Sequence, residues 1–409
     1  MNVCSIEWVV CLLVLSAFFF CLPSPCLRQG LLAVCNLAFV ATLVPDVRAW
    51  IALSGFLISG YLVAKMLQAH SRRWVLVTYL AVLVSAFVIL KQYAFAVALL
   101  PASLFHRVVA VVGLSYMLFR QIQLVVDAYQ GQIENLTVWN YLNYQLNLFG
   151  LVAGPIQRYQ QFLESWARLE PILAGPEPIL RAYSRVFIGV LKISVVAAAC
   201  LAVFDHCHDA LTATEPLTRS KSITMFLGLF YFYPAYIYFN FSGYCDMVIG
   251  GASLFGLKMP ENFDRPFFAR NMIDYWTRWH RTLGFWIRDY VFTPMYMAIA
   301  SRWPQKAASL AFLCYFVALF LTGIWHGSTW NFVMFGLLNG LGVAAAKLWE
   351  NHLIKKSGRQ GLRKYLDSPR IRRVAVAANF HYVCLTILFF PVGMAKTLQI
   401  IKRVVTQMI

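Results

Sequence analysis

Charge is what this chain has least of. Asp, Glu, Lys and Arg make up 13% of its 409 residues, 17 acids against 35 bases. Soluble domains carry about a quarter charged residues, so a surface solvated all round is excluded. With 60% apolar residues, the chain reads as an integral membrane protein. Any C-x-x-C pair is also missing. The ten cysteines are scattered, with Cys4, Cys11, Cys21, Cys26 and Cys35 in early apolar runs and Cys200, Cys314 and Cys384 in later ones. They suit membrane helices better than a disulfide framework. No basic stretch precedes the run Ile6–Leu22, which therefore reads as a retained first helix and not a signal peptide. There is no internal repeat and no soluble basic domain for nucleic acid, so the net charge of +18 is assigned to cytoplasmic loops.

What is present is a series of apolar runs near the length that crosses ~30 Å of hydrocarbon. They fall at about 6–22, 30–47, 50–67, 74–100 and 108–126, then 186–204, 223–256, 307–325, 329–349 and 374–395. Lys91 interrupts the fourth as a helix break or a snorkelling side chain. Residues 135–168 read as a helix, a break at Gly154-Pro155, and an interfacial helix carrying Arg158, followed by a proline-rich connector at 171–178. The DHCHD run, Asp205 to Asp209, is expected to be a polar loop; alternate residues there cannot easily converge on one ion, so no metal is assigned. Asp246, alone among apolar neighbours in 223–256, calls for an arginine or hydroxyl partner. The expectation is an all-α polytopic membrane protein with about nine to eleven spans plus re-entrant or interfacial helices. It forms a single domain: N-terminal helices in 1–134, a core in 135–349, and a basic loop with the last span in 350–409.

Between 351 and 373, Lys355, Lys356, Arg359, Arg363, Lys364, Arg370, Arg372 and Arg373 are opposed by Asp367. This places the loop in the cytoplasm. Counting back, Arg302–Lys306 is cytoplasmic too, and the turn at His326 lies in the middle of the membrane or on its far side. Lys396, Lys402 and Arg403 argue the other way, which suggests a re-entrant last span.

The core holds two histidines. In NMIDYWTRWHRTLGFWIRDY (271–290), read as one helix, Trp276, Trp279, Leu283, Trp286 and Tyr290 fall on one face. Asp274, Arg278, Arg281 and Arg288 fall on the other, and His280 sits at the aromatic edge. His326 follows in LTGIWHGSTWN (321–331), between Gly323 and Gly327, with Trp325 and Trp330 nearby. Small residues let a backbone or substrate approach closely, and Ser328, Thr329 and Asn331 are placed to orient the ring. A neutral imidazole beside a hydroxyl can take its proton as it attacks a carbonyl. No G-x-S-x-G elbow accompanies it, so transfer without a protein-bound acyl group fits, alongside the bland reading of packed polar residues.

Four blocks carry a resemblance: LVAGPIQRYQQF (151–162), YIYFNFSGYCDMVIGGASLFGLKMPENFDRPFFARN (236–271), DYWTRWHRTLGFWIRDYVFTPM (274–295) and GIWHGSTWNFVMFGLLNG (323–340). Together they are similar to the membrane-bound O-acyltransferases, in the bacterial branch of alginate O-acetylation and teichoic-acid D-alanylation proteins. The resemblance implies a helical ring around a thin centre, with a tunnel from a cytoplasmic acyl donor to an outer acceptor. It also makes His326 and His280 the catalytic pair. Arg278, Arg281, Arg288, Asn331, Trp279 and Trp325 are the candidate substrate contacts, though the arginines read equally well as snorkelling anchors. Asn240 and Cys245 depart from the branch pattern, which has Asp and Ser there.

The implied activity is transfer of an acyl group, acetyl first, from a thioester donor (acetyl-CoA or acyl carrier protein) with no bound cofactor. The acceptor is an extracytoplasmic polysaccharide or a partner acyltransferase, and the setting is the inner membrane and its lipids. D-alanyl transfer to teichoic acid from a carrier protein, and a non-catalytic acyl transporter or scaffold, are the alternatives.

Overall fold

The computed structural model describes residues 6–44, 46–99, 113–170, 176–213, 215–327 and 329–408. Pro101, Ser328 and most of the 171–178 connector lie outside these residues. Every regular element described is helical, and no strand occurs among the described residues. Seven described helices are long and apolar enough to cross a membrane, and Glu7–Cys21 is a shorter apolar one. The chain divides into two compact units, Met1–Ile193 with Ser242–Glu261, and Ser194–Phe241 with Asn262–Ile409.

The first unit contains α1 (Ile6–Cys21), α2 (Pro25–Leu43), α3 (Val47–Ala69), α4 (Arg73–Leu90), α5 (Ala94–Leu99), α6 (Leu114–Tyr129), α7 (Val138–Gln145), α8 (Tyr159–Trp166) and α9 (Pro176–Leu191). Local chemistry sets several of the ends. Ser24 and Asp46 cap α2 and α3 by accepting from Leu27 and Ala49 N–H groups, which satisfies first-turn donors. The break at Lys91 occurs as expected: α4 stops at Leu90, Gln92 takes φ 49°, and the ammonium lies 5.8 Å from the Phe87 ring. The 135–168 segment has the expected helix, break and second helix, with Arg158 at the N-cap of α8 rather than within it. Its irregular part is tied down by buried polar groups. Arg120 donates to Tyr144 O and Gln145 O at 2.9 Å, and Gln157 donates to Lys258 O at 2.8 Å.

Asp246 finds its partners within this unit. Arg185 Nε stands 3.1 Å from one carboxylate oxygen and Lys192 Nζ 2.6 Å from the other. Arg185 reaches on to Glu261 at 2.6 Å, so a chain of alternating charge replaces the isolated acid.

The second unit contains α10 (Ala198–Thr212), the first part of α11 (Arg219–Leu254), α12 (Met272–Arg278), α13 (Arg281–Ile287), α14 (Thr293–Arg302), α15 (Ala307–His326), α16 (Trp330–Asp367), α17 (Pro369–Ile387) and α18 (Met394–Met408). Two expectations are corrected. DHCHD is not a loop: it is helical within α10, and Cys207 is buried in a cluster with Phe204, Leu211 and Leu229. Residues 271–290 are not one helix, because the chain breaks between α12 and α13. Lys396, Lys402 and Arg403 belong to α18, an amphipathic helix whose Ile400 and Val404 pack into the α10 cluster. Its Arg403 donates to Leu211 O at 2.9 Å and also to Ala213 O and Glu215 O, closing carbonyls that the end of α10 leaves open.

Candidate active site

His326 is the last residue of α15, and the tight hairpin of α15 and α16 positions it. Glycines make that hairpin possible. A Cβ on Gly336 would stand 2.7 Å from Phe320 O, and a Cβ on Gly323 would collide with Gly336 itself. The imidazole sits among aromatic rings, with centroids 4.8 Å from Trp325, 5.4 Å from Phe390 and 5.8 Å from Phe335.

His280 occupies the break between α12 and α13 at φ 43°, in the left-handed region that a non-glycine residue adopts at a cost. The preceding loop holds it there. Arg281 N–H donates to Asn262 O at 2.9 Å, and Asp264 N–H donates to Arg278 O at 2.9 Å. The Asn262 side-chain oxygen accepts from Thr282 N–H at 3.2 Å and Thr282 Oγ1 at 2.9 Å, and lies 3.1 Å from His280 Nδ1. An amide oxygen can only accept, so Nδ1 carries the proton and Nε2 presents a lone pair. His280 is buried at 2% exposure, and Nε2 has no partner among the described residues. Burial, reinforced by the neighbouring His326, pushes its pKa from 6.5 down to about 3, so the ring is neutral at physiological pH.

Both histidines line one cavity of about 50 Å³, room for a few water-sized groups. Its walls are largely aromatic, from Phe241, Tyr275, Trp276, Trp279, Phe335 and Phe390, with Asn339 and Thr386 as polar members. The sequence placed the two histidines in separate blocks; the fold of the second unit brings them to one apolar space. A neutral acceptor nitrogen in a dry pocket suits proton transfer from a hydroxyl.

The other candidate residues are distributed around this centre. Trp279 lines the cavity. Trp325 packs at a tilt against His326 and is not among the residues that line the cavity. Asn331 is one layer out, donating to Phe390 O at 3.5 Å and accepting from Thr329 Oγ1. The three arginines do not line the cavity. Arg278 pairs with Asp274 at 2.7 Å, Arg281 lies 5.6 Å from the Phe285 ring, and Arg288 pairs with Asp289 at 2.7 Å. Arg288 instead borders a neighbouring apolar cavity of about 230 Å³, and Trp276 lines both spaces. Sequence reasoning missed Asn262 and Asn339. The available signal for Asn339 was a carboxamide inside an otherwise apolar span; Asn262 sits in a loop whose reach to His280 only the fold reveals. Among the described residues no group of three His, Cys, Asp or Glu side chains is placed to hold a metal.

The chain is similar to known membrane acyl-transfer proteins. Over 286 residues the chain is 28% identical to the teichoic acid D-alanyltransferase of Bacillus subtilis (strain 168), covering 68% of each. The teichoic acid D-alanyltransferase of Streptococcus thermophilus is 25% identical over 71% of this chain and 70% of its own length. The probable alginate O-acetylase of Azotobacter vinelandii is 27% identical over 57% of this chain, but only 44% of its own length is matched. Residues 65–388 match the membrane-bound O-acyltransferase family, a span that includes both histidines. The chain is a multi-pass membrane protein that belongs to the membrane-bound O-acyltransferase family.

Proposed function

We propose that the chain transfers an acyl group from a cytoplasmic thioester to a hydroxyl of a cell-envelope polysaccharide, directly or through a partner acyltransferase, across the cytoplasmic membrane. The observation that carries this is the shared cavity of His280 and His326. His326 takes the hydroxyl proton as the oxygen attacks the thioester carbonyl, and the collapsing intermediate expels a thiolate that receives the proton back. The hydroxyl and thioester become an ester and a thiol, with no acyl group on the protein. His280, neutral and fixed as the Nδ1–H tautomer, holds a reacting group through Nε2.

Acetyl is the expectation from the sequence blocks. D-alanyl is the second reading, favoured because similarity to the D-alanyltransferases extends over about 70% of their length. Mass spectrometry of ester-linked acyl groups on surface polymers, comparing wild type with His326→Ala at equal membrane levels, tests the proposal. Loss of one ester identifies acyl group and acceptor together. Unchanged esters would leave the transporter or scaffold reading in place.

A further inference from the structure

Asn339 lies within α16, 1% exposed, on the wall of the histidine cavity. Its Nδ2 donates to Phe335 O at 2.8 Å. A main-chain carbonyl can only accept, so the amide orientation is fixed and Oδ1 is left over. That oxygen has no partner among the described residues. Two further residues that line the same cavity carry buried atoms in the same condition, His280 Nε2 and Trp276 Nε1. Buried polar atoms in folded proteins are nearly always paired, so three orphans on residues that line one small space outline what a ligand must bring. Trp276 N–H needs an acceptor, while Asn339 Oδ1 and His280 Nε2 each need a donor.

Resting on the acyl-transfer reading above, we propose that Asn339 is a specificity-determining residue that accepts a hydrogen bond from an N–H group of the acyl donor. A thioester carbonyl satisfies the Trp276 N–H, and the attacking hydroxyl satisfies an imidazole lone pair. Nothing in a bare acetyl thioester is left for Asn339. An N–H comes from one of two places: an α-ammonium on an aminoacyl group, or the amide of a pantetheine arm close behind the sulfur. The ring walls suit either, since a cation is attracted to aromatic faces and an amide N–H tolerates them.

The test measures binding of three probes to the full-length chain in nanodiscs, followed by tryptophan fluorescence because Trp276 and Trp279 line the cavity. The probes are S-acetyl-pantetheine, S-alanyl-pantetheine and S-propyl thioacetate, the last having no N–H. Asn339→Leu removes the acceptor; Asn339→Asp keeps one and serves as the rescue. The expected result is that Asn339→Leu weakens an N–H-bearing probe about 3- to 100-fold, the range between a neutral and a charged hydrogen bond, and leaves S-propyl thioacetate unchanged. Loss with both pantetheine probes assigns the arm amide; loss with S-alanyl-pantetheine alone assigns the ammonium. Equal loss for all three probes, or none, overturns the role of Asn339. Failure of wild type to bind any probe would instead overturn the acyl-donor reading itself. His326→Ala should keep the dependence on Asn339 while losing transfer.

Discussion

At the scale of single residues, the site depends on what Asn262 does for His280. One oxygen takes three donors, and the left-handed backbone of His280 lasts only while they hold. Asn262→Leu would strand those donors in a buried place, at roughly 1–3 kcal/mol for each orphan. We expect a lowered thermal midpoint and at least a tenfold loss of acyl transfer, read by ester content per unit of protein in the membrane. The neutral state of His280 has its own signature. Its folded pKa of about 3 lies below the ordinary histidine value of 6.5, so between these values the unfolded chain binds a proton that the folded chain refuses. Stability therefore falls as pH drops below 6.5, by at most about 1.4 kcal/mol per pH unit from this group. Thermal unfolding of wild type and His280→Gln from pH 7 to pH 5 checks this; wild type should show the steeper decline. Parallel declines would mean that the folded His280 ring takes up its proton as readily as the unfolded one.

At the scale of helices, the placement of His326 depends on how closely α15 and α16 cross. Gly336→Val inserts carbon where Phe320 O and Gly323 already stand, an overpacking that costs about 1–3 kcal/mol and displaces the end of α15. Thermal midpoint and transfer should fall together in this variant. Gly393→Ala, with nothing within 4 Å of the added carbon, should change neither. The close crossing was legible in the sequence because glycine flanks the histidine on an apolar helix. The partners of Asp246 were legible as a need, since a carboxylate among apolar residues must be paired, but the identity of Arg185 and Lys192 required the fold. The break at His280 was not legible. Trp276, Trp279, Leu283 and Trp286 repeat with helical spacing and are all buried, so the periodicity was sound while the continuity was not. What interrupts the helix is a tertiary contact from Asn262, which no local pattern encodes. DHCHD failed in the opposite sense: its polar residues look like a turn, yet Cys207 and the apolar residues around it hold the segment helical.

At the scale of the whole molecule, the distribution of basic residues sets the orientation in the membrane. α16 has 38 residues, about 57 Å at 1.5 Å each, nearly twice the ~30 Å hydrocarbon core. Its apolar first part can cross, and the rest must project beyond. The projecting part carries Lys355, Lys356, Arg359, Arg363 and Lys364, and the helix turns at Gly358, whose φ of 68° and ψ of 180° only glycine adopts cheaply. Arg270 donates to Leu366 O at 3.2 Å, linking this basic arm to the loop that leads into α12. Lys and Arg next to a span are retained on the cytoplasmic side, so the expectation is that the arm, and with it the loop into α12, faces the cytoplasm, the side of the thioester donor in the proposed reaction. Trypsin distinguishes the two orientations without any substitution. In inside-out vesicles it should cut after Arg359, Arg363 or Lys364, which are exposed, and release a C-terminal fragment; right-side-out vesicles should be spared. The opposite pattern would put the basic arm outside and would separate the His280 loop from any cytoplasmic donor, leaving the direction of transfer proposed here without support.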